Sequence, residues 1–222
     1  MRNHFSLDKQ NSMLAEENAR LNDQLKYYKR MEALQDEAAS GPSDPLEGFR
    51  YTPATIVKVS RNTAHNYIIL NKGSEDGVLP HSGIITPKGV VGIIKAVDKH
   101  YSYGLTLMNN SISVSSRVGD TGIVGPLIWD GRNSNGAYLK DIPLHYSVQP
   151  GDTIYTSGFS IIFPPDIPVG IAGQTKIADG AAQQVSVTLF QDFSALRYVT
   201  IVENPDRTEI YALEAKEEED RR

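Results

Sequence analysis

The chain has 222 residues, 22 Lys and Arg against 27 Asp and Glu, a formal net charge of -5 and no cysteine. That balance offers no basic footprint for nucleic acid, and the lack of cysteine removes disulfide frameworks, thiolate zinc sites and cysteine nucleophiles without deciding the compartment. All 18 Gly and 12 Pro fall between Gly41 and Pro205, so a leader and a short tail without helix breakers flank a turn-dense body.

No apolar run approaches the ~18 residues that a bilayer crossing needs. Residues 1–10 also lack the basic flank, apolar stretch and cleavage site of a signal peptide. With 40% apolar residues, the body is long enough to bury a core in one or two small domains.

In the leader, Leu7, Leu14, Leu21 and Tyr28 recur every seven positions, and the intervening places at offset four hold Asn11, Asn18 and Leu25. This is a heptad seam with Leu-rich d positions and Asn at two a positions. Glu16, Glu17, Arg20, Asp23, Lys26, Lys29 and Arg30 occupy the other faces as a solvated surface would. A seam only two positions wide suits another helix better than a broad domain surface, so the pattern favours a parallel dimer over a helix packed on its own body. The Asn positions give up stability for register and predict weak pairing. After Tyr28 the seam slips by one place at Met31 and Leu34, where the supercoil should loosen. The stalk is assigned to residues 1–40 and the linker to residues 41–48, where Ser40-Gly41-Pro42-Ser43-Asp44-Pro45 stops the helix.

In the body, short β-type runs recur between turn residues: Ala54–Ser60, Tyr67–Asn71, Gly83–Thr86, Val90–Val97, Gly104–Met108 and Ser113–Val118, then Gly122–Ile128, Ala137–Lys140, Thr153–Ser157, Val169–Gln174, Val185–Leu189 and Tyr198–Val202. This spacing belongs to barrels or sandwiches and leaves no room for intervening helices. The halves echo each other weakly, with Val91-Gly92-Ile93 answering Val169-Gly170-Ile171. The echo is compatible with two related small barrels, each with a Gly where a strand bends sharply. The boundaries read from it are residues 49–118 and 119–205, and the acidic tail, residues 206–222, reads as disordered.

Catalytic motifs are weak. His65, Asp98 and Ser157 mimic the triad order of a double-barrel serine protease, but Tyr155-Thr156-Ser157 reads as a strand end and not as a Gly-rich oxyanion loop. Asn133-Ser134-Asn135-Gly136 lacks both charged ends of a calcium loop, and the five His show no ligand spacing. No catalytic residue, metal ligand or cofactor is assigned. The segment Ser157-Gly158-Phe159-Ser160-Ile161-Ile162-Phe163-Pro164-Pro165 clusters bulky apolar side chains where Pro164-Pro165 blocks regular pairing. It either plugs a barrel or lines a partner groove.

Several motifs occur together in a specific order: Leu14-Ala15-Glu16-Glu17-Asn18, Asn71-Lys72-Gly73-Ser74-Glu75-Asp76-Gly77-Val78, Pro87-Lys88-Gly89-Val90-Val91-Gly92, and Val148-Gln149-Pro150-Gly151-Asp152 with Thr156-Ser157-Gly158. Ile162-Phe163-Pro164, Ile167-Pro168-Val169-Gly170 and Asp192-Phe193-Ser194-Ala195-Leu196-Arg197-Tyr198-Val199 continue the series. Over nearly its whole length the chain thereby resembles the rod shape-determining MreC family of bacterial cell-elongation scaffolds. The resemblance implies a noncatalytic, mainly β protein: a coiled-coil stalk carrying two six-stranded β-barrels on the periplasmic side of the inner membrane. It also implies homodimers that can extend into filaments. The partners it implies are the elongation-specific penicillin-binding transpeptidase, MreD and the MreB-linked glycosyltransferase machinery of peptidoglycan synthesis. Family members carry a transmembrane helix ahead of the stalk, and that anchor is absent from the sequence given. Carried over by motif, Phe159, Ile162, Phe163 and Tyr198 are the partner-binding candidates, and Leu7, Leu14, Asn18, Leu21, Leu25 and Tyr28 the dimer seam. The competing readings are a double-barrel protease or peptidase with Ser157 as nucleophile, and a periplasmic adaptor of an export pump; such adaptors usually return through a second helix.

Overall fold

A computed structural model describes residues 13–18, 21, 48–60, 65–178, 180 and 182–220. The described residues of the body form twelve strands: β1 (Arg50–Ser60), β2 (His65–Leu70), β3 (Gly83–Thr86), β4 (Gly89–Val97), β5 (Ser102–Asn109), β6 (Val114–Val118), β7 (Ile123–Trp129), β8 (Gly136–Pro143), β9 (Thr153–Thr156), β10 (Pro168–Ala178), β11 (Ala182–Leu189) and β12 (Tyr198–Glu203). They close into two six-stranded antiparallel barrels, ordered β1-β12-β3-β4-β5-β2 and β10-β11-β8-β7-β6-β9. Closure removes the unpaired edges that would template aggregation.

Alternation of buried and half-exposed positions shapes the walls. In β7, Ile123, Gly125, Leu127 and Trp129 point to buried positions while Val124, Pro126 and Ile128 are half-exposed, the period-2 signature of a wall with one face in the core. β4 departs from that rule, because all six residues from Gly89 to Ile94 are buried. Its second face is covered by the other barrel: β4 touches β10, and β5 touches β7. One apolar cluster therefore runs through both barrels and includes Ile84, Val91, Ile94, Leu127, Ile154, Phe163 and Val169. The echoed glycines Gly92 and Gly170 serve the same need in each barrel. A Cβ at Gly92 would strike the Leu105 carbonyl, and one at Gly170 the Thr188 carbonyl, so only Gly lets the neighbouring strands approach this closely.

The strand assignment to barrels corrects the boundaries read from the sequence. β6 lies in the second barrel, between β7 and β9. β12 returns to the first barrel, between β1 and β3, pairing Arg50 with Glu203 and Ile201 with Ile84. The second barrel is thus inserted between β5 and β12 of the first. The crossing segment after β11 is held by the Phe190 N–H, which donates to the Val169 carbonyl, and by the Thr86 hydroxyl, which donates to the Gln191 side-chain oxygen. Phe193 is buried beneath it.

The tail also departs from expectation. Arg207–Asp220 forms an α-helix. Its start is seated on the first barrel: Arg207 is buried and its guanidinium donates to Ser82 Oγ at 3.4 Å, and the His81 and Tyr211 rings meet edge-on at 6.1 Å. A helix of 14 residues is marginal alone in water, so this docking supplies stability that local propensity lacks.

Of the stalk, residues 13–18 and 21 are helical. Leu14 and Leu21 are 58% and 48% exposed, and Asn18 is exposed as well. Their spacing of four and three puts them on one side of a helix. Leu7, Leu25 and Tyr28 lie outside the described residues, as does the linker up to residue 47.

Candidate functional site

The segment between β9 and β10 leaves the second barrel and reaches the wall of the first. Phe163 is its foot. Its ring lies against Gly83 at the start of β3, where a Cβ would come 2.5 Å from Phe163 Cε1 and 3.1 Å from the Ile162 carbonyl oxygen. Phe163 is 1% exposed and belongs to the shared core. It is therefore an inter-barrel packing residue and cannot offer its ring to a partner, which corrects its place among the partner-binding candidates. The physical reason is the hole left by Gly83: an apolar ring next to a side-chain-free backbone gains more by filling that hole than by facing water.

Phe159, four residues earlier, is 82% exposed. Ile162 is half-buried and packs against the core from the side. Tyr198 is half-buried on β12, with the Arg197 guanidinium 5.6 Å from its ring centre. Val202, four residues along the same strand, is paired with Gly83 and fully buried. Residues i and i+4 of a strand share a face, so Tyr198 stands on the outer wall of the first barrel that also receives Phe163. The fold places Phe159, Ile162 and Tyr198 on the outside of the barrels and takes Phe163 out of that set.

The segment is fastened along its length. Thr156 Oγ1 donates to the Pro164 carbonyl at 2.6 Å and accepts from the Ile167 N–H at 3.0 Å. The hydroxyls of Ser115 and Ser157 share a hydrogen bond of 2.7 Å, and Ser157 Oγ also accepts from the Phe159 N–H at 3.1 Å. Ser160 Oγ accepts from the Ile162 N–H at 3.2 Å. Arg117 on β6 pairs with Asp166 and Asp120, and its guanidinium lies 5.0 Å above the centre of the Tyr155 ring. The hydrogen bond to Asp166 raises the Arg117 pKa against the opposing effect of burial. Asp166 itself adopts φ 69, a left-handed conformation that Asp tolerates better than most residues.

The same contacts bear on the protease reading. The Ser157 hydroxyl is engaged with Ser115 and the Phe159 amide, a local turn arrangement. His65 pairs with Asn109 in the wall of the first barrel, and Asp98 accepts from the Lys99 N–H in a turn. Among the described residues, no group of three or more His, Cys, Asp or Glu is arranged to hold a metal ion. Asp130, just ahead of the Asn133-Ser134-Asn135-Gly136 turn, is occupied internally. Although burial acts to raise its pKa, the N–H groups of Arg132 and Asn133 bond its carboxylate and bring it below the usual range.

Sequence reasoning found the apolar segment but not Arg117, Asp166 and Thr156 as its fasteners. Arg117 and Asp166 are 49 positions apart, and no local motif connects them.

Two closed six-stranded barrels, one inserted in the other and joined by an aromatic foot, define a class of twin-barrel β proteins whose outer walls carry the features available for binding. The barrel core of rod shape-determining protein MreC matches residues 56–203, and the chain belongs to that family. It is 30% identical over 199 residues to the cell shape-determining protein MreC of Caulobacter vibrioides, covering 85% of this chain and 55% of that protein. It is 25% identical over 153 residues to the Escherichia coli protein of the same name, covering 68% and 41%. The chain thus spans about half the length of these relatives. In fold it is similar to MreC of Listeria monocytogenes, with a TM-score of 0.71, 21% identity and coverage of 85% and 91%. It is also similar to a chain in a complex between penicillin-binding protein PBP2 and MreC from Helicobacter pylori, with a TM-score of 0.59, 18% identity and coverage of 71% and 99%. Among the described residues no helix is long and apolar enough to cross a membrane.

Proposed function

We propose that this chain is a noncatalytic scaffold of the bacterial cell-elongation machinery, acting on the periplasmic side of the inner membrane, where it binds a peptidoglycan transpeptidase. Family membership supplies the cell-shape role, and the Helicobacter relative, described in complex with PBP2, supports a penicillin-binding partner. The observation that carries the reading is Phe159: an aromatic ring 82% exposed on a fastened segment. Exposed aromatic side chains carried on ordered backbone are frequent anchors of protein interfaces.

The stalk pairs two copies through Leu14, Asn18 and Leu21 and holds the barrels away from the membrane. Binding at Phe159, Ile162 and Tyr198 favours one conformation of the transpeptidase over another, so activation is a population shift and needs no chemistry from the scaffold. MreD and the MreB-linked glycosyltransferase machinery occupy other faces.

The test is binding of the full chain to the ectodomain of the elongation transpeptidase by calorimetry. Phe159→Ala should weaken binding at least tenfold, the scale of an interface anchor, with an unchanged β circular-dichroism spectrum and melting temperature. Equal affinity for both chains removes Phe159 from the interface and, with it, this reading of the surface.

A further inference from the structure

We infer that Arg117 is a positioning residue for partner binding: it holds the segment carrying Phe159 in its binding-competent shape before the partner arrives, without touching the partner. This inference rests on the proposed role of Phe159.

From Ser157 to Ile167 the chain runs through Gly158 at φ 77 and the Pro164-Pro165 pair, and it lies outside any strand. Left to itself, such a segment would sample many conformations, and freezing them on binding would subtract from affinity. Here both ends are tied. On the outgoing side Ser157 is bonded to Ser115, and the foot is set by Phe163 against Gly83. On the returning side Asp166, at φ 69, is bonded through its N–H to the Thr156 carbonyl and through its carboxylate to Arg117. Arg117 is only 18% exposed, which distinguishes it from an ordinary surface ion-pair residue. It stacks on Tyr155, whose strand leads into the segment, and grips Asp166, whose backbone leads out of it. One planar guanidinium therefore closes the base of the loop, using the flat stacking face and rigid fork of donors that Lys lacks. Between these ties Phe159 is the single large apolar group of the segment that stays in water.

This division of labour separates anchor from fastener. Phe159 supplies contact area, and Arg117 lowers the ordering cost of presenting it. Arg117 should then affect affinity through the free protein's loop, which a merely structural role in the barrel would not do.

The experiment compares four variants of the 222-residue chain: Arg117→Met, Arg117→Lys, Asp166→Asn and Phe159→Ala. Each is measured for melting temperature, hydrogen exchange of amides 158–167 and affinity for the transpeptidase ectodomain. Asp166→Asn keeps a residue that tolerates positive φ while removing the charge, and so guards against a folding defect at the Arg117 position. Arg117→Met and Asp166→Asn should both speed exchange in residues 158–167, leave exchange in β7 and β8 unchanged, and weaken binding about tenfold, with Arg117→Lys recovering part of each loss. If Phe159→Ala weakens binding while Asp166→Asn and Arg117→Met change neither exchange nor affinity, the positioning role is overturned and the proposed function stands. Faster exchange with unchanged affinity also overturns it. If Phe159→Ala has no effect on binding, the underlying reading of the surface fails, whatever Arg117 does.

Discussion

The ring of Phe163 fills the space where a side chain at Gly83 would be: a Cβ built on Gly83 comes 2.5 Å from Phe163 Cε1 and 2.7 Å from Cδ1. A residue from the second barrel is thereby locked into the wall of the first. Phe163→Ala should destabilise the chain by about 3–5 kcal/mol, the usual cost of emptying a buried aromatic site. Gly83→Ala should cost about 1–3 kcal/mol by overpacking. Urea unfolding of both variants reads these values, and a wild-type midpoint for either would contradict the packing described. Phe163→Asp should fail to fold, since it buries a carboxylate with no partner.

The pairing of β12 with β1 and β3 makes a sharp truncation prediction. A chain ending at Asn204 retains both barrels. A chain ending at Leu196 lacks the strand that closes the first barrel, so amides in β1 to β5 should lose exchange protection while those in β7, β8 and β11 keep theirs. Full protection of β1 to β5 in the shorter chain would show that the first barrel closes without β12.

Glu203 is buried at the end of β12, and burial raises its pKa against the lowering effects of Arg50 and Arg207. A carboxyl group whose folded pKa is raised binds more protons folded than unfolded. Its contribution to stability is fully present below the unfolded value of about 4.3 and is lost as pH rises through the folded value. Denaturant unfolding between pH 4 and 8 should show Glu203→Gln losing less stability over that interval than wild type does. Parallel curves would remove Glu203 as a source of pH dependence.

Asp76 carries the opposite sign. The hydrogen bond from Lys72, at 2.8 Å, and the Gly73 N–H hold its pKa below the ordinary value. Its contribution is present above the unfolded pKa, about 3.9, and lost as pH falls through the folded one. Asp76→Asn should therefore flatten the stability loss on acidification below about pH 4, read from acid titration by circular dichroism. Because the Lys72–Asp76 pair is partly solvated, the effect should be small.

The seam of the stalk is testable by sedimentation equilibrium. The full chain should dimerise, Leu14→Asp with Leu21→Asp should be monomeric, and Asn18→Leu should tighten association at the expense of register. A monomeric wild-type chain defeats the dimer assignment.

Much of this protein was set locally. The alternating apolar residues of β6 and β11 mark strands because one wall face must be buried, and that period is readable within a short window of residues. The division at Gly41 follows equally directly from where Gly and Pro occur. The tertiary structure decided which barrel each strand joins, because a period-2 pattern specifies a face and not a pairing partner. β12 closes a barrel whose preceding strand in sequence, β5, ends at Asn109. It also divided the apolar segment: Phe159 and Phe163 have the same side chain and similar neighbours in sequence, yet one is 82% exposed and the other 1%. The difference is the empty position at Gly83, a vacancy created by the folding of another domain.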